Sequence, residues 1–225
     1  MAKSIFSSVG GGSETMAEIS SFFNNVNGDR KYDAETFALY FKKFLSSGVY
    51  HQNNQPALKV TAGTGLKTII ETGSAFLEGY MYQNTENITL SHDAADATNP
   101  RIDRIVLRLD RNVSVRAINA FVKKGTPASN PVPPSLQRDD FIYEVSLAQV
   151  RINAGSTSIT SVTDERYNSS VCGLVSSLIS IPTDDFKEQW ENWFNGIKNQ
   201  IGARLLYGST EPAGAVAGDV WLRYL

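Results

Sequence analysis

From residue 57 onward, apolar residues tend to recur at every second position, the spacing that places one face of a β-strand on a core. Clusters of Gly, Asn, Pro and Asp separate these segments. The predicted strands are ALKVTA (57–62), LKTIIET (66–72), AFLEGYMY (75–82), ENITL (86–90), RIDRIVLRLD (101–110), SVRAINAFVKKG (114–125) and DFIYEVSLAQVRI (140–152). Because no helical segment between them is long enough for a crossover, we predict a mainly β fold, an antiparallel β-sandwich or small barrel.

A helical pattern precedes the strands, in residues 33–48. Asp33 is suited to the N-cap, and Gly48 can adopt the left-handed conformation that ends a helix. One stripe at helical spacing contains Phe37, Tyr40, Phe41, Phe44 and Leu45. So heavy an aromatic stripe indicates core or a subunit interface, with a ligand groove as the minor alternative.

A second helical pattern follows the strands, at about residues 183–205. Asp184 and Asp185 favour the positive end of the helix dipole, so they mark its start. An apolar seam at near-heptad spacing is formed by Phe186, Trp190, Trp193, Ile197 and Ile201. A seam of this kind on a helix that leaves a β domain predicts self-association, and we expect these five residues to form an oligomer interface.

Four segments are predicted along the chain. Residues 1–32, with GGGS at 10–13, form a flexible arm whose Phe22 and Phe23 dock on another surface. Residues 33–170 contain the first amphipathic helix and the β-sandwich. Residues 171–205 form a helical oligomerisation segment, and residues 206–225 form a short β-hairpin-like tail.

The charge balance counts against nucleic acid as a partner. The 225 residues carry a formal net charge of −2, so no global positive field would concentrate a polyanion. The segment RIDRIVLRLDR, residues 101–111, nevertheless contains four arginines. At strand spacing Asp103 shares a core face with aliphatic residues, whereas Arg104 and Arg108 lie on the other face. We expect carboxylates to compensate these arginines, the candidates being Asp103, Asp110, Asp140 and Glu144.

The sequence contains no recognisable catalytic set, and we predict that the protein is not an enzyme and uses no cofactor or metal. His92, Asp93 and Asp96 could hold a hard cation, but no second cluster supplies further ligands, so a polar loop is the preferred interpretation. The single cysteine, Cys172, lies in an apolar run and is interpreted as a small buried residue. The sequence shows neither a signal peptide nor an apolar run long enough to cross a membrane, so we expect synthesis in a cytoplasm.

Several phrases in order resemble a family of phage proteins. They are FFNNVNGDRKYDAETFALYFKKFLSSGVY (22–50), AFLEGYMYQNTENITL (75–90), NPRIDRIVLRLDR (99–111), VKKGTPASNPVPPSLQRDDFIYEVSLAQVRI (122–152), TDERYNSSVCGLV (163–175) and FKEQWENWF (186–194). The chain resembles baseplate or tail-tip proteins of long-tailed phages of Gram-positive bacteria, of the upper-baseplate or receptor-binding type.

The resemblance implies a structural virion subunit, made in the host bacterial cytoplasm, with a sandwich like the shoulder domain of receptor-binding proteins. It also implies trimeric assembly and other tail or baseplate proteins as partners. Family members often continue into a head that binds cell-surface saccharide, whereas this chain stops at Leu225, so we expect an adaptor. The alternative is a carbohydrate-binding protein, with Tyr80, Tyr82, Trp221 and Tyr224 as candidate contacts. A cell-wall hydrolase is a third hypothesis.

Overall fold

A computed structural model describes residues 20–29, 32–179, 183–200, 205–210, 213–214 and 220–223. The chain divides into two compact units, residues 1–179 and residues 180–225. In the described residues the protein is mainly β, with several antiparallel sheets and two helices. We call residues 32–179 the β domain.

The first helix, α1, spans Ala34–Phe41, and Asp33 caps it as predicted. The Asp33 carboxylate accepts hydrogen bonds of 2.9 Å from both the backbone N–H and the hydroxyl of Thr36. The prediction that the helix continues to Gly48 was wrong. Backbone bridges join Leu45 to Ser177 and Val49 to Leu174, so residues 45–49 pair with a distant segment instead of extending the helix.

The β domain contains twelve described strands. They are β1 Gly48–Val49, β2 His51–Gln52, β3 Gln55–Pro56, β4 Val60–Ala62, β5 Lys67–Ile70, β6 Gly73–Leu77, β7 Tyr80–Asn84, β8 Ile88–Ser91, β9 Arg101–Asp110, β10 Ala117–Lys123, β11 Ile142–Ile152 and β12 Ser161–Asp164. The sheets have the orders β10-β9-β11-β12, β4-β5-β8, β1-β6-β7 and β2-β3, and every pairing in them is antiparallel.

One strand prediction needs correction, and four short strands were not predicted. The segment predicted as one strand, residues 75–82, is a hairpin in which Leu77 pairs with Tyr80. Glu78 and Gly79 form its turn, with φ of 51° and 94°. Short strands β1, β2 and β3 were not predicted, because two residues are too few to show an alternating pattern, and β12 was also missed.

One apolar core is shared by residues of the four-stranded, the β4-β5-β8 and the β1-β6-β7 sheets. The predicted inward face of β9 is confirmed, because Ile105, Leu107 and Leu109 lie in this core. The remaining core contains Val49, Leu58, Val60, Ile70, Ala75, Leu77, Val145, Leu147, Ala148, Val150, Ile152 and Cys172. Val106, on the other face of β9, is also fully buried.

Residues 171–179 belong to the β domain. Cys172 and Val175 are buried there, and the bridge between Val49 and Leu174 ties the segment to β1. The predicted oligomerisation segment begins at residue 171, whereas the observed division between units falls after residue 179.

The second unit contains α2, Asp184–Gln200, with Asp184 and Asp185 in its first turn as predicted. It also contains β13, Leu205–Gly208, and β14, Val220–Arg223. These two strands pair in parallel, whereas a hairpin-like tail requires antiparallel strands. Residues 209–219 between them are more numerous than the roughly two to five residues of a hairpin loop.

Candidate functional site

The exterior of α2 carries four exposed aromatic side chains, Phe186, Trp190, Trp193 and Phe194. Residues 183–196 are all exposed, and Phe186, Trp190 and Trp193 remain 70%, 53% and 55% exposed. The rings of Trp190 and Trp193 lie 4.9 Å apart, and Phe194 stacks 6.4 Å from Trp190. A surface helix normally buries its apolar stripe on its own domain, so this face is a candidate association surface.

The structure describes the side chains of only three of the five predicted interface residues. Phe186, Trp190 and Trp193 lie on one exposed helix, while Phe194 was outside the predicted seam. Ile197 is part of α2, although its side chain is not among those described, and Ile201 lies outside the described residues. Self-association through these residues stays a prediction.

A second aromatic surface lies on α1. We call Phe22, Phe37, Tyr40 and Phe41 the α1 aromatic surface; they are 39%, 46%, 46% and 46% exposed. The Phe22 ring lies 5.0 Å from Phe37 and 4.9 Å from Tyr40, so the arm does dock through a phenylalanine, on α1 of its own chain. The exposure of Phe37, Tyr40 and Phe41 counts against the core interpretation of the stripe, although Phe44 and Leu45 are partly buried. The interface and ligand-groove interpretations stay predictions.

The small residues of α1 face the β domain instead. Thr36 and Ala38 are its buried residues. The turn of the β6–β7 hairpin approaches so closely that a Cβ on Gly79 would overlap the Ala38 carbonyl. Lys42 pairs with Glu78 in the same turn. Ala38 is therefore the α1 residue that fits against the hairpin turn, whereas Phe37, Tyr40 and Phe41 remain about half exposed.

The arginines of β9 are held by carboxylates. Arg108 donates to Glu144 Oε1 from Nε at 2.9 Å and from Nη2 at 2.6 Å. Lys123 and the Gln137 N–H donate to Oε2 of the same glutamate at 2.6 and 2.7 Å. Burial raises the pKa of Glu144, but the Gln137, Lys123 and Arg108 bonds outweigh it, and the pKa lies below its usual value.

A second buried network surrounds Asp103, whose side chain is fully buried with those of Arg101 and His92. Asp103 accepts hydrogen bonds from Arg101 Nε at 3.0 Å and from the Gly125 N–H at 2.9 Å, and lies 2.8 Å from His92 Nδ1. Burial raises the pKa of Asp103, yet the bonds from His92, Gly125 and Arg101 bring it below its usual value.

Arg104 lies 3.5 Å from Glu165, a partner that the sequence did not suggest. Of the predicted partners, Glu144 binds Arg108 and Asp103 binds Arg101. Glu144 and Glu165 lie far from their arginine partners in the sequence. Only the arrangement of the strands shows which arginine each carboxylate binds. None of these three arginines presents an uncompensated guanidinium for a phosphate.

His92 lies in the loop that follows β8, as predicted, but the sequence did not show that it is buried. Its Nε2 lies 3.1 Å from the Thr68 hydroxyl, so hydroxyl, imidazole and carboxylate follow one another as in a nucleophilic triad. Thr68 is fully buried, however, and no substrate reaches its hydroxyl without opening the fold. The arrangement therefore acts structurally, joining β5 to β9.

Asp93 and Asp96 do not join His92 in a cation site. Asp93 binds Lys124, and Asp96 accepts the N–H groups of Thr98 and Asn99. No group of three or more possible metal ligands occurs in the described part of the chain. Cys172 is 5% exposed, and burial raises the pKa of its thiol to about 12.

An open groove of about 820 Å³ lies beside the β2–β3 hairpin. Its lining includes Tyr50, Met81 and four exposed side-chain amides, those of Gln52, Asn53, Gln55 and Gln83. Arg166, buried behind the hairpin, donates to the carbonyls of Pro56 and Ala57 at 2.5 and 2.9 Å. The β2–β3 hairpin is therefore held by hydrogen bonds from a buried side chain of the β domain.

The predicted saccharide contacts are not gathered in this groove. Tyr80 and Tyr82 pack against the core, and burial raises the pKa of both phenols. Trp221 donates its indole N–H to the Gly208 carbonyl at 3.2 Å, and Tyr224 lies outside the described residues.

Among the described residues, neither helix is long and apolar enough to cross a membrane. A comparison with protein-family models found no match, and searches of curated proteins and of solved structures likewise found no similar protein.

Proposed function

We propose that this chain is a structural subunit of a phage tail baseplate, an assembly adaptor in the host-adsorption apparatus. In this proposal the β domain is a sandwich of the shoulder-domain type, and the flanking helices provide contacts with neighbouring subunits. The observation that carries the proposal is the exposed aromatic face of α2. The resemblance to baseplate proteins is the reason for proposing this assembly. The exposed face of α2 is the surface through which the chain would bind neighbouring subunits.

The contact we assign to α2 is a homotrimer centred on Phe186, Trp190 and Trp193, with Ile197 and Ile201 continuing the seam. Isolated helices of about this length are marginal in water, so an exposed α2 gains stability by packing. Burying a large apolar side chain contributes roughly 1.5–3 kcal/mol. Three such side chains from each protomer would therefore contribute to the stability of a trimer.

Light scattering of the purified full chain tests this contact. We expect the double substitution Trp190→Ala with Trp193→Ala to reduce the measured mass by a factor of three. Phe141→Ala, which removes a ring that is 59% exposed on the β domain, is the matched control and leaves the mass unchanged. An unchanged mass in the double variant would contradict a trimer contact through these residues.

The place in the virion needs a separate experiment. Antibodies raised against the purified chain should label one end of the tail in electron micrographs of the phage. Absence of the chain from purified particles, by mass spectrometry, contradicts the baseplate proposal whatever the oligomeric state.

A second candidate function is binding of a neutral saccharide at the host surface, favoured by the amide-lined groove. Side-chain amides donate and accept hydrogen bonds as hydroxyls require, and Tyr50 and Met81 offer apolar contact. Saturation-transfer NMR with N-acetylglucosamine, galactose and rhamnose tests this function. Binding should be lost in Gln52→Ala with Gln83→Ala and kept in Asn87→Ala, an exposed amide elsewhere. No saturable signal from any of the three sugars contradicts this candidate.

A further inference from the structure

A cavity of about 680 Å³ is lined by the start of α1, the β6–β7 hairpin and the chain on either side of the β9–β10 turn. Leu109 and Ile118 provide apolar lining from the sheet. Two aromatic rings also line the cavity, those of Tyr80, which is partly buried, and Phe141, which is 59% exposed. The size of the cavity and its apolar and aromatic lining fit a small organic molecule.

The charged groups around the cavity are mainly negative. Two guanidiniums, those of Arg111 and Arg116, line it. Arg111 is already engaged, because it donates to the Asp140 carbonyl at 3.0 Å and lies 3.7 Å from Glu78. Against them stand four carboxylates, those of Asp33, Glu35, Asp110 and Asp140. An anion would therefore meet an excess of charge of its own sign, which is unfavourable.

Two of these carboxylates are available to a ligand. Asp33 and Asp110 already accept hydrogen bonds from nearby backbone N–H groups. The exposed side chains of Glu35 and Asp140 form no hydrogen bond or ion pair within the described part of the chain. Burial and, after it, the carboxylate of Glu35 raise the pKa of the Tyr80 phenol, so the negative charge acts on the same ring that lines the cavity.

We propose that this cavity binds an organic cation, an ammonium group carried on an apolar body. Carboxylates attract an ammonium group, and so do the faces of aromatic rings. A metal ion is not the expected occupant, because no group of three or more possible metal ligands occurs in the described part of the chain. Carboxylates that are spread around a cavity suit a larger cation with an apolar surface.

The cavity is a different site from those proposed above. Of the residues that line it, Met81 alone also lines the amide-lined groove. The cavity lies in the β domain, whereas the proposed trimer contact lies on α2. Binding of a cation here therefore does not depend on the baseplate proposal or on the saccharide candidate.

NMR titration of ligand signals with the purified full chain tests the charge of the ligand. Choline supplies a quaternary ammonium, butylammonium supplies the primary ammonium of a lysine side chain, and 3,3-dimethyl-1-butanol is the uncharged analogue of choline. We expect saturable binding of at least one cation, about tenfold or more tighter than that of the alcohol. The tighter of the two cations distinguishes a quaternary headgroup from a lysine-type amine. No saturable binding of either cation, or binding of the alcohol or of acetate that is equally tight, would overturn the proposal.

Charge-removing variants locate the bound cation. Glu35→Gln and Asp140→Asn keep the side-chain shapes, and each should weaken binding of the cation by about two- to fivefold, or on the order of tenfold together. Glu86→Gln, which changes an exposed carboxylate between β7 and β8, is the matched control and should leave the affinity unchanged. Unchanged affinity in the double variant, with the melting temperature also unchanged, would contradict this site.

Two further variants test the aromatic lining and the separation from the groove. Phe141→Leu keeps an apolar contact but removes the ring face, so it should reduce the preference for the cation over the alcohol. Gln52→Ala with Gln83→Ala changes the amide-lined groove and should leave binding of the cation unchanged. Loss of binding in that groove variant would place the cation in the groove and overturn the assignment to this cavity.

Discussion

Replacing Asp103 by Asn tests whether the buried charge network holds the β domain together. The substitution keeps the shape of the side chain but removes the negative charge that Arg101 and His92 face. The Arg101 guanidinium, 1% exposed, then remains buried without a counterion. The amide NH₂ also cannot accept the hydrogen bonds that one carboxylate oxygen accepts now.

The expected cost follows from this burial. Removing one partner of a buried ion pair costs about 3–5 kcal/mol, and the full burial of Asp103 leaves no solvent screening to reduce it. With a urea m-value of roughly 2 kcal/mol/M, the unfolding midpoint should fall by about 1.5–2.5 M. The carbonyls of Asp93 and Ala94 still accept from Arg101, which places the cost toward the lower end of that range.

Urea unfolding followed by intrinsic fluorescence and by circular dichroism measures this change. Asp93→Asn is the matched control, because it makes the same chemical change in an exposed pair with Lys124, and its midpoint should equal that of the wild type. A midpoint for Asp103→Asn that is indistinguishable from the wild type refutes the reasoning. It would mean that Asp103 is not the counterion of Arg101 in the folded protein.

Two further predictions concern ionisation. Folding lowers the pKa values of Asp103 and Glu144 from the ordinary values of 3.8 and 4.5, so the unfolded chain binds more protons. The stabilisation that the two carboxylates provide is therefore complete above about pH 5 and is lost as the pH falls below their pKa values. Acid titration of the circular dichroism signal measures this loss. Equal stability at pH 3 and pH 7 would contradict the prediction. Because burial raises the pKa of Cys172 to about 12, iodoacetamide at pH 8 should label the thiol only on unfolding, and labelling of the native protein at the rate of a free thiol would contradict its burial.

Most of the fold class followed from patterns within single segments. β9 has the same bounds as the strand predicted from its alternation, and Asp33 caps α1 because the cap depends on the next three residues alone. The hairpin at residues 75–82 was missed because its Glu–Gly turn interrupts the apolar alternation without a Pro or Asn signal. The early end of α1 depends on residues 174–177, more than a hundred positions away.

The sequence by itself determined which residues alternate, which cap, and which carry the aromatic seam of α2. Such features depend on the spacing of neighbouring residues, and spacing is visible in the letters. Only the tertiary structure decided that His92 is buried against Asp103, that Glu165 faces Arg104, and that the aromatic side of α1 points outward. These outcomes depend on strand register and on which side of a helix fits a distant turn. The RIDRIVLRLDR strand shows both: its alternation marks the core face, and the register of β11 brings Glu144 to Arg108.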